Sequence, residues 1–226
     1  MFLSTDKRMN GKIMFNDNEK ASYFTRLWFM LKSEFIFKYS FQKKLASMAG
    51  RPMVWGIWNV VLYGPNIHIG KNVTIAGANG SQTNLTTIKS GDREGSIKIG
   101  DNVLVMSGVR ISSASEIIIG DDCMLANFCY IMDADWHDLY NRTSSPGRSA
   151  PVVLEKGVWI GDSAIVCKGV RIGENSVVGA GSVVRKDVPA NVVVIGNPAV
   201  IVKHLDPEKI VTMGDLYRRL NAGGGN

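Results

Sequence analysis

The sequence has few of the residues that build disulfide frameworks and metal centres. Its 226 residues include three cysteines and three histidines, and no two cysteines have the CxxC spacing. An odd number of widely spaced cysteines suits a reducing compartment and argues against both a disulfide framework and a cysteine-based zinc site. We therefore expect no structural disulfide and no metal.

The sequence also lacks a long apolar run. The longest one near the start, Leu27 to Leu31, is soon interrupted by Lys32 and Glu34, far short of the roughly 18 to 20 residues that cross a bilayer. The first eight residues carry charge where a secretory signal has its apolar core. These absences predict a cytoplasmic protein, with the inner face of the membrane as its nearest approach to lipid.

Most of the chain has no net charge, because the positive excess lies near its start. The formal net charge is +6, and residues 1–51 hold ten Lys or Arg against four Asp or Glu, whereas residues 52–226 hold sixteen of each. A basic segment favours an anionic membrane surface or a polyanion, but neither zinc-finger spacing nor an RNP-like aromatic motif accompanies it. Nucleic acid is therefore excluded as an expected partner.

A basic, aromatic-rich helix is predicted from about Asn16 to Ala49, because this stretch has few helix breakers. Lysines alternate there with Phe, Trp and Tyr. One interpretation is a helical cap over the open end of the main domain, since an uncovered sheet edge invites aggregation. The other is an interfacial helix that makes peripheral contact with a membrane. We assign residues 1–53 to this helical segment.

A six-residue period dominates the stretch from Leu154 to Val188. The fifth residue of each block is small, and the first is a branched aliphatic: Leu154, Ile160, Val166, Ile172, Val178 and Val184. Neither a helix, which repeats at 3.6 residues, nor a lone strand, which repeats at 2, explains a period of six. The same count is found earlier, led by Ile69, Ile75, Ile99, Val105, Ile111, Ile119, Leu125 and Ile131.

Three blocks of six residues predict one triangular turn of three short strands, with the leading aliphatics inside. Stacked turns would bury a continuous core and pair each strand with the turns above and below. A two-residue slip between Ser112 and Ile118 implies a bulged corner. This all-β domain of parallel strands is expected to span residues 54–203, and residues 204–226 a short C-terminal helix and tail, with Pro207 at N1.

The period is interrupted twice, and the two interruptions are predicted to be surface insertions. The first covers residues 77–96 and is rich in Asn, Ser, Thr and Gly. The second covers residues 132–153 and holds His137 among Asp133, Asp135 and Asp138. A loop held at both ends by a rigid scaffold is a suitable mount for a reacting group.

Several motifs resemble the hexapeptide-repeat acyltransferases, and within them the galactoside and maltose O-acetyltransferase group. They are the runs VWIGD at 158–162, IGENSVVGAGS at 172–182, KDVP at 186–189 and GNPA at 196–199. The resemblance covers residues 54–203 and implies a left-handed parallel β-helix, an exception to the right-handed crossover rule. It also implies a homotrimer that binds acetyl-CoA between neighbouring prisms.

The resemblance further implies that His137 is the general base acting on an acceptor hydroxyl. Imidazole, with an unperturbed pKa near 6.5, can accept a proton close to neutrality, and a sugar hydroxyl is a poor nucleophile until its proton is taken. The neighbouring acids Asp133 and Asp135, with Asp138, are the candidates to orient the imidazole.

On the donor side, the resemblance implies that Trp159 packs against the pantetheine arm and that Asp162 and Ala180 line the same groove. Main-chain amides from Gly179 to Gly181 would receive the pantetheine or the thioester oxygen. The cofactor phosphates would meet three cationic residues, namely Arg185, Lys186 and Lys203.

The leading functional hypothesis is an acetyl-CoA-dependent O-acetyltransferase that acts directly on a sugar or glycan hydroxyl, as in polysaccharide biosynthesis. Alternatives are an N-acetyltransferase on an amino sugar or another small acceptor, and a non-catalytic β-helix scaffold. A prism-shaped zinc enzyme needs three histidines round one ion, and the repeat region has only His68 and His137.

Overall fold

The repeat folds into a triangular prism of three parallel sheets. The computed structural model describes residues 23–90, 93–143 and 145–222. The chain passes from sheet A to sheet B to sheet C and then into the next turn, in the order of a left-handed parallel β-helix. The three corners are named here by the sheets they join: A–B, B–C and C–A.

Each sheet stacks strands of successive turns. Sheet A contains Ser47–Met48, Ile67–Ile69, Ser96–Ile99, Glu116–Ile119, Val152–Leu154 and Arg171–Ile172. Sheet B contains Met53–Trp55, Thr74–Ala76, Leu104–Val105, Met124–Leu125, Trp159–Ile160, Val177–Val178, Val192–Gly196 and Ala199–His204. Sheet C contains Val60–Tyr63, Thr83–Thr87, Arg110–Ser113, Tyr130–Met132, Ile165–Val166 and Val183–Val184.

The core of the prism consists of the residues that lead the six-residue blocks. Every predicted lead is buried, and so are the small fifth residues from Val158 to Val188. Register explains the continuity of the core: Ile131 pairs with Val166, which pairs with Val184, so leads of successive turns stack directly. Burying one such aliphatic contributes roughly 1.5–3 kcal/mol, so this column is the main source of stability.

The N-terminal segment is helical but ends earlier than predicted. An α-helix, α1, spans Tyr23–Ile36, and a π-helical turn, Phe37–Phe41, and a 3-10 turn, Gln42–Lys44, follow it. The predicted helix before residue 23 lies outside the described residues. Ser47–Met48 is already a strand of sheet A, paired with His68 and Ile69. The prism therefore begins before Gly56, where the sequence pattern first shows the repeat.

Only one side of this segment packs on the prism. Phe37 and Phe41 of the π-helical turn are buried in the common core, with their rings stacked 5.4 Å apart between centroids. Trp28, Leu31 and Phe35 of α1 remain exposed. Within the described part of the chain, no helix is long and apolar enough to span a membrane.

The prediction that residues 77–96 form a surface insertion is wrong for its central part. Thr83–Thr87 is a strand of sheet C, paired on one side with Val60–Tyr63 and on the other with Arg110–Ser113. Leu85 points inward and is fully buried. Thr83 and Thr87 are buried too, and their hydroxyls donate to main-chain carbonyls, as Thr83 does to Ala76 at 2.6 Å. A hairpin, Lys89–Ser90 with Arg93–Glu94, follows the strand.

The C-terminal end departs from the parallel pattern. Ala199–His204 runs antiparallel to Val192–Gly196 at the edge of sheet B. The helix predicted to begin at Asp206 is a 3-10 turn, Pro207–Lys209, in which the Asp206 carboxylate accepts a hydrogen bond from the Glu208 amide. A second α-helix, α2, spans Met213–Ala222. It is capped by Thr212, whose amide donates to the Asp215 carboxylate at 2.8 Å.

Candidate functional site

The loop that carries His137 leaves and rejoins the prism at the C–A corner, with its base closed like a hairpin. The Asp135 amide donates to the Arg148 carbonyl at 2.8 Å, and the Ala150 amide donates to the Asp133 carbonyl at 2.9 Å. His137 lies two residues beyond the last rung of this ladder. The returning strand passes close to it: a Cβ on Gly147 would lie 2.7 Å from the His137 carbonyl oxygen.

Asp133 joins the base of the loop to the previous turn. Its carboxylate accepts hydrogen bonds from the Ser113 hydroxyl at 2.7 Å, the Ala114 amide at 2.7 Å and the Ser115 amide at 2.9 Å. These donors belong to the bulged corner predicted from the two-residue slip. Asp133 is completely buried, so the slip supplies the donors that a buried carboxylate requires.

Asp135 joins the loop to the following turn. Both of its carboxylate oxygens accept from the Lys168 ammonium group at 2.7 Å. Beside this ion pair lies a cleft of about 330 Å³, lined by Met132, Ala134, Asp135, Cys167, Lys168 and Arg185. The Arg185 side chain is exposed and forms no salt bridge with another described residue, so the cleft carries a cation without a counter-charge.

Trp136 holds the loop against the outer face of sheet C. Its indole N–H donates to the Tyr130 hydroxyl at 2.8 Å. The Arg110 guanidinium lies 4.1 Å from the centre of the Tyr130 ring, a cation–π distance. Arg110 and Tyr130 are neighbours because their strands pair in register. The residue immediately before His137 is therefore fixed to the prism.

His137 itself is exposed, and its imidazole makes no hydrogen bond to any residue that the structure describes. Asp133 and Asp135 do not orient the imidazole as predicted, because the bulged corner and Lys168 engage their oxygens. The two acids instead fix the loop that carries His137. Asp138 also has another role: it accepts from the Tyr140 and Asn141 amides at 2.9 Å, and these bonds lower the pKa of its carboxyl.

The cysteines do not form a nucleophilic site. Burial raises the pKa of Cys123 to about 12 and that of Cys129 to about 12. The Cys167 thiol lines the cleft, and desolvation raises its pKa although Arg185 and Lys168 oppose the rise. Thiols so disfavoured as thiolates are poor nucleophiles near neutral pH. Among the described residues, no group of His, Cys, Asp and Glu could hold a metal ion.

The predicted pantetheine-binding residues lie on sheet B and the B–C corner. Trp159 is 45% exposed on the outer face of sheet B, and Asp162 and Ala180 are exposed at the corner of successive turns. Two of the three amides proposed to receive the acyl donor are already engaged. The Gly179 amide donates to the Val194 carbonyl and the Gly181 amide to the Asp162 carbonyl, both at 2.8 Å. Of these three amides, only that of Ala180 donates to no described residue.

The predicted phosphate-binding residues are divided between two places. Arg185 and Lys186 are exposed at the C–A corner, near the loop, whereas Lys203 is exposed on the antiparallel edge strand of sheet B. One chain therefore places His137, Arg185 and Lys186 at the C–A corner, and Trp159, Asp162, Gly179, Ala180 and Lys203 on sheet B and the B–C corner. It does not bring the two groups onto one corner.

Sequence reasoning missed Lys168, Tyr130 and Arg110. The pairing of turns could have found them, because Ile131 stacks on Val166 and Arg110 stacks on Tyr130. The register of these paired strands follows from the six-residue period once the two-residue slip is included. Trp136 carries no comparable signal, since a loop side chain does not follow the period.

Comparison with known proteins agrees with this fold. Residues 151–186 match the bacterial transferase hexapeptide family (six repeats). Galactoside O-acetyltransferase of Escherichia coli is 33% identical over 144 residues, which are 64% of this chain and 57% of that protein. The putative lipopolysaccharide biosynthesis O-acetyl transferase WbbJ of Escherichia coli is 37% identical over 125 residues, covering 50% of this chain and 63% of that protein.

Solved structures agree at the level of the fold. AntD, an N-acyltransferase from Bacillus cereus solved in complex with dTDP and 3-hydroxybutyryl-CoA, superposes with a TM-score of 0.62 at 18% identity. The match covers 84% of this chain and 96% of AntD. Together with the buried six-residue repeat, these similarities show that residues 151–186 carry the repeat of the bacterial hexapeptide transferase family.

Proposed function

We propose that this protein is an acetyltransferase that transfers an acetyl group from acetyl-CoA directly to a hydroxyl of a sugar or glycan. The observation that carries the proposal is His137: an exposed imidazole on a loop that Asp133, Asp135 and Trp136 anchor to the prism. A base whose main chain is fixed while its imidazole stays accessible can meet an incoming hydroxyl. The similar O-acetyltransferases of Escherichia coli support the same reaction class.

In this proposal His137 takes the proton of the acceptor hydroxyl as its oxygen attacks. The acyl donor supplies the thioester carbonyl, and the new carbon–oxygen bond replaces the carbon–sulfur bond while the proton passes to the departing thiolate. Neither Asp133 nor Asp135 contributes to this proton transfer, because their oxygens are engaged elsewhere. Their contribution is to hold the loop in place.

The raised pKa values of the three thiols favour direct transfer over an acyl-cysteine route. At the proposed coenzyme A site, the exposed indole of Trp159 offers an apolar surface to the pantetheine arm. The Ala180 amide is available to donate a hydrogen bond to the acyl group. Exposed Arg185, Lys186 and Lys203 supply positive charge for the phosphates. These residue types fit a coenzyme A thioester.

A homotrimer would complete the site. Within one chain the His137 group and the Trp159 group occupy different corners, so a neighbouring prism must supply the second group. Exposed apolar side chains on the strands of sheet B support such a contact, since monomeric proteins rarely expose large apolar patches. They are Trp159, Ile195, Val200, Ile201 and Val202.

The first experiment measures coenzyme A release and acetylated product from acetyl-CoA and a panel of sugars and sugar nucleotides. We expect His137→Ala to lower kcat by roughly a hundredfold to ten-thousandfold, the usual contribution of general base catalysis. His68→Gln is the matched control, since His68 lies on sheet A, hydrogen-bonded to Ser47 at 2.7 Å. Full transfer by His137→Ala, with normal folding of both variants, would reject the proposal.

The second experiment tests the shared site by mixing variants. His137→Ala and Trp159→Ala are each expected to be weak, but unfolding and refolding them together should restore part of the activity. Restoration arises only if one chain supplies His137 and its neighbour supplies Trp159. Light scattering should give three times the chain mass of 24.7 kDa. A monomer, or a mixture as inactive as its components, would contradict a site between chains.

The acceptor panel also separates O-acetylation from N-acetylation. Glucose and glucosamine form a suitable pair, because they differ only in the nucleophile at one carbon. We expect product with an ester from both sugars. An amide as the sole product would assign the chain to N-acyltransfer, and coenzyme A binding without transfer to any acceptor would favour a scaffold.

A further inference from the structure

One face of α1 and the adjacent first turn of the prism form an exposed aromatic and basic surface far from the His137 loop in sequence. We call it the aromatic–lysine surface. Its members are Trp28, Leu31, Lys32, Phe35, Lys38, Tyr39, Lys43 and Trp58. Trp28, Leu31, Phe35 and Tyr39 follow at intervals of three or four residues, so they lie along one side of the helical segment.

The lysines are interleaved with the aromatic rings. The Lys32 ammonium lies between two indoles, 4.5 Å from the Trp28 ring and 4.8 Å from the Trp58 ring. These contacts tie α1 to the first turn of the prism. The surface is therefore fixed to the domain.

A second cluster continues the surface along the π-helical turn. The rings of Phe35 and Tyr39 lie 4.6 Å apart, and the ammonium groups of Lys38 and Lys43 lie 5.5 and 5.2 Å from the Tyr39 ring. The opposite side of the same turn is occupied, because Phe37 and Phe41 are buried in the core. The outward side is left exposed: Leu31 and Phe35 are 62% and 63% exposed.

The charge of this region identifies its partner. Residues 28–51 hold five Lys or Arg and one acidic residue, Glu34, whose carboxylate is paired with Arg51 at 2.5 Å. A positively charged surface repels a second copy of itself and attracts a surface that is negatively charged. Trp and Tyr favour the interfacial region of a bilayer, and lysine can extend its ammonium group to the headgroups while its stem stays in apolar surroundings.

We propose that the aromatic–lysine surface docks on an anionic lipid bilayer, with Leu31, Phe35 and the indoles in the interface and the lysines at the headgroups. Such an interfacial contact is peripheral. It does not depend on the transfer chemistry. The docking places the N-terminal end of the prism at the membrane.

The test is flotation of the full-length protein with phosphatidylcholine vesicles that contain or lack 30% phosphatidylglycerol. We expect binding to the anionic vesicles, and weaker binding as salt increases. Replacing Lys32, Lys38 and Lys43 by Glu should weaken binding by at least about a hundredfold, since each lysine at such a surface contributes about fivefold. The control reverses Lys71, Lys89 and Lys209, three exposed lysines elsewhere, and should bind nearly as well as the unmodified protein.

A second variant, Leu31→Gln with Phe35→Gln, keeps the charge and removes apolar contact, and should weaken binding roughly tenfold or more. Failure to float with anionic vesicles would overturn the proposal, as would equal losses in the two lysine variants. The proposal would also be overturned if the Gln variant floated as well as the unmodified protein but had a smaller oligomeric mass. In that case a second copy of the chain, and not a bilayer, would cover the aromatic–lysine surface. His137→Ala should float normally, which separates this result from any failure of the acetylation test.

Discussion

The two interruptions of the six-residue period, residues 77–96 and 132–153, differ in their relation to the prism. The first keeps the chain in the scaffold, since Thr83–Thr87 lies between two strands of sheet C. The second leaves the scaffold at the C–A corner, and its tip carries exposed Leu139 and Tyr140. The two stretches are similarly polar, yet the first contributes a strand to the prism and the second forms the loop that carries His137.

The difference shows that polarity alone does not identify an insertion. Alternation does: in Thr83, Leu85 and Thr87 every second residue is buried, which is the period of a strand. Among the described residues of the second interruption, the buried ones before Val152, where the next strand begins, are Asp133 and Ala134. They are adjacent in sequence, which no strand pattern produces. A polar stretch should therefore be read for a period of two before it is assigned to the surface.

Two leucines, one in each interruption, give the largest expected contrast. Leu85 is fully buried, whereas Leu139 is 78% exposed. Leu85→Ala should lower the free energy of unfolding by roughly 2–5 kcal/mol because it leaves a cavity in the core. Leu139→Ala should change it by less than about 0.5 kcal/mol. Chemical denaturation measures both, and similar values would remove the distinction between the two stretches.

Two aspartates make the next contrast, within the second interruption. Asp133→Ala leaves the donors of Ser113, Ala114 and Ser115 without their acceptor, which should cost about 2–3 kcal/mol. Asp138→Ala loses two exposed hydrogen bonds and should destabilise the protein much less than Asp133→Ala does. Thermal unfolding compares the variants. Equal stability of the two variants would mean that the hydrogen bonds of Asp133 do not hold the loop to the bulged corner.

Much of the fold follows from the sequence because one kind of residue repeats at one spacing. The inward positions, the small corners and the bulge between Ser112 and Ile118 are all consequences of that count. The start of the prism at Ser47 does not follow from it, since a two-residue strand followed by Gly50 and Pro52 has no period to detect. The handedness came from the resemblance to a family.

The indole–phenol hydrogen bond between Trp136 and Tyr130 should have a moderate effect on turnover. Trp136→Phe and Tyr130→Phe each remove this bond, and each should lower kcat about threefold to tenfold, as one hydrogen bond contributes about 0.5–1.5 kcal/mol. Because they remove the same bond, the double variant should be little worse than either one. The pH profile of kcat/KM should keep its midpoint. If the loss of kcat in the double variant were the product of the two single losses, the two residues would act independently.

The site was less predictable than the fold because its contacts cross between turns and loop. His137 was identified by resemblance, and the acids beside it were expected to orient it because they are adjacent in sequence. Adjacency was misleading: the Asp133 carboxylate is engaged by the bulged corner and the Asp135 carboxylate by Lys168, while His137 is exposed and forms no hydrogen bond with the described residues. The register of paired strands was needed to find Lys168.

The smallest expected effect concerns the tip of the loop. The Tyr140 and Asn141 amides lower the pKa of Asp138 below its ordinary 3.8, so the carboxylate stabilises this turn above pH 3.8. That contribution is lost as the pH falls through the lowered value. The amide signals of Tyr140 and Asn141 should therefore titrate with a midpoint below 3.8, measured by NMR. Asp138→Asn should abolish the titration, and a midpoint above 3.8 would contradict the proposed bonds.

The reversed strand Ala199–His204 determines where this protein can be lengthened. Ala199–His204 occupies the edge of sheet B on which the next parallel turn would stack, so an extra turn appended after His204 would meet a reversed strand there. Extra six-residue blocks would have to enter before Val192, between turns that already share the parallel register. The number of turns is thus limited by the last strand, which makes the C-terminal hairpin the natural boundary for engineered longer or shorter prisms.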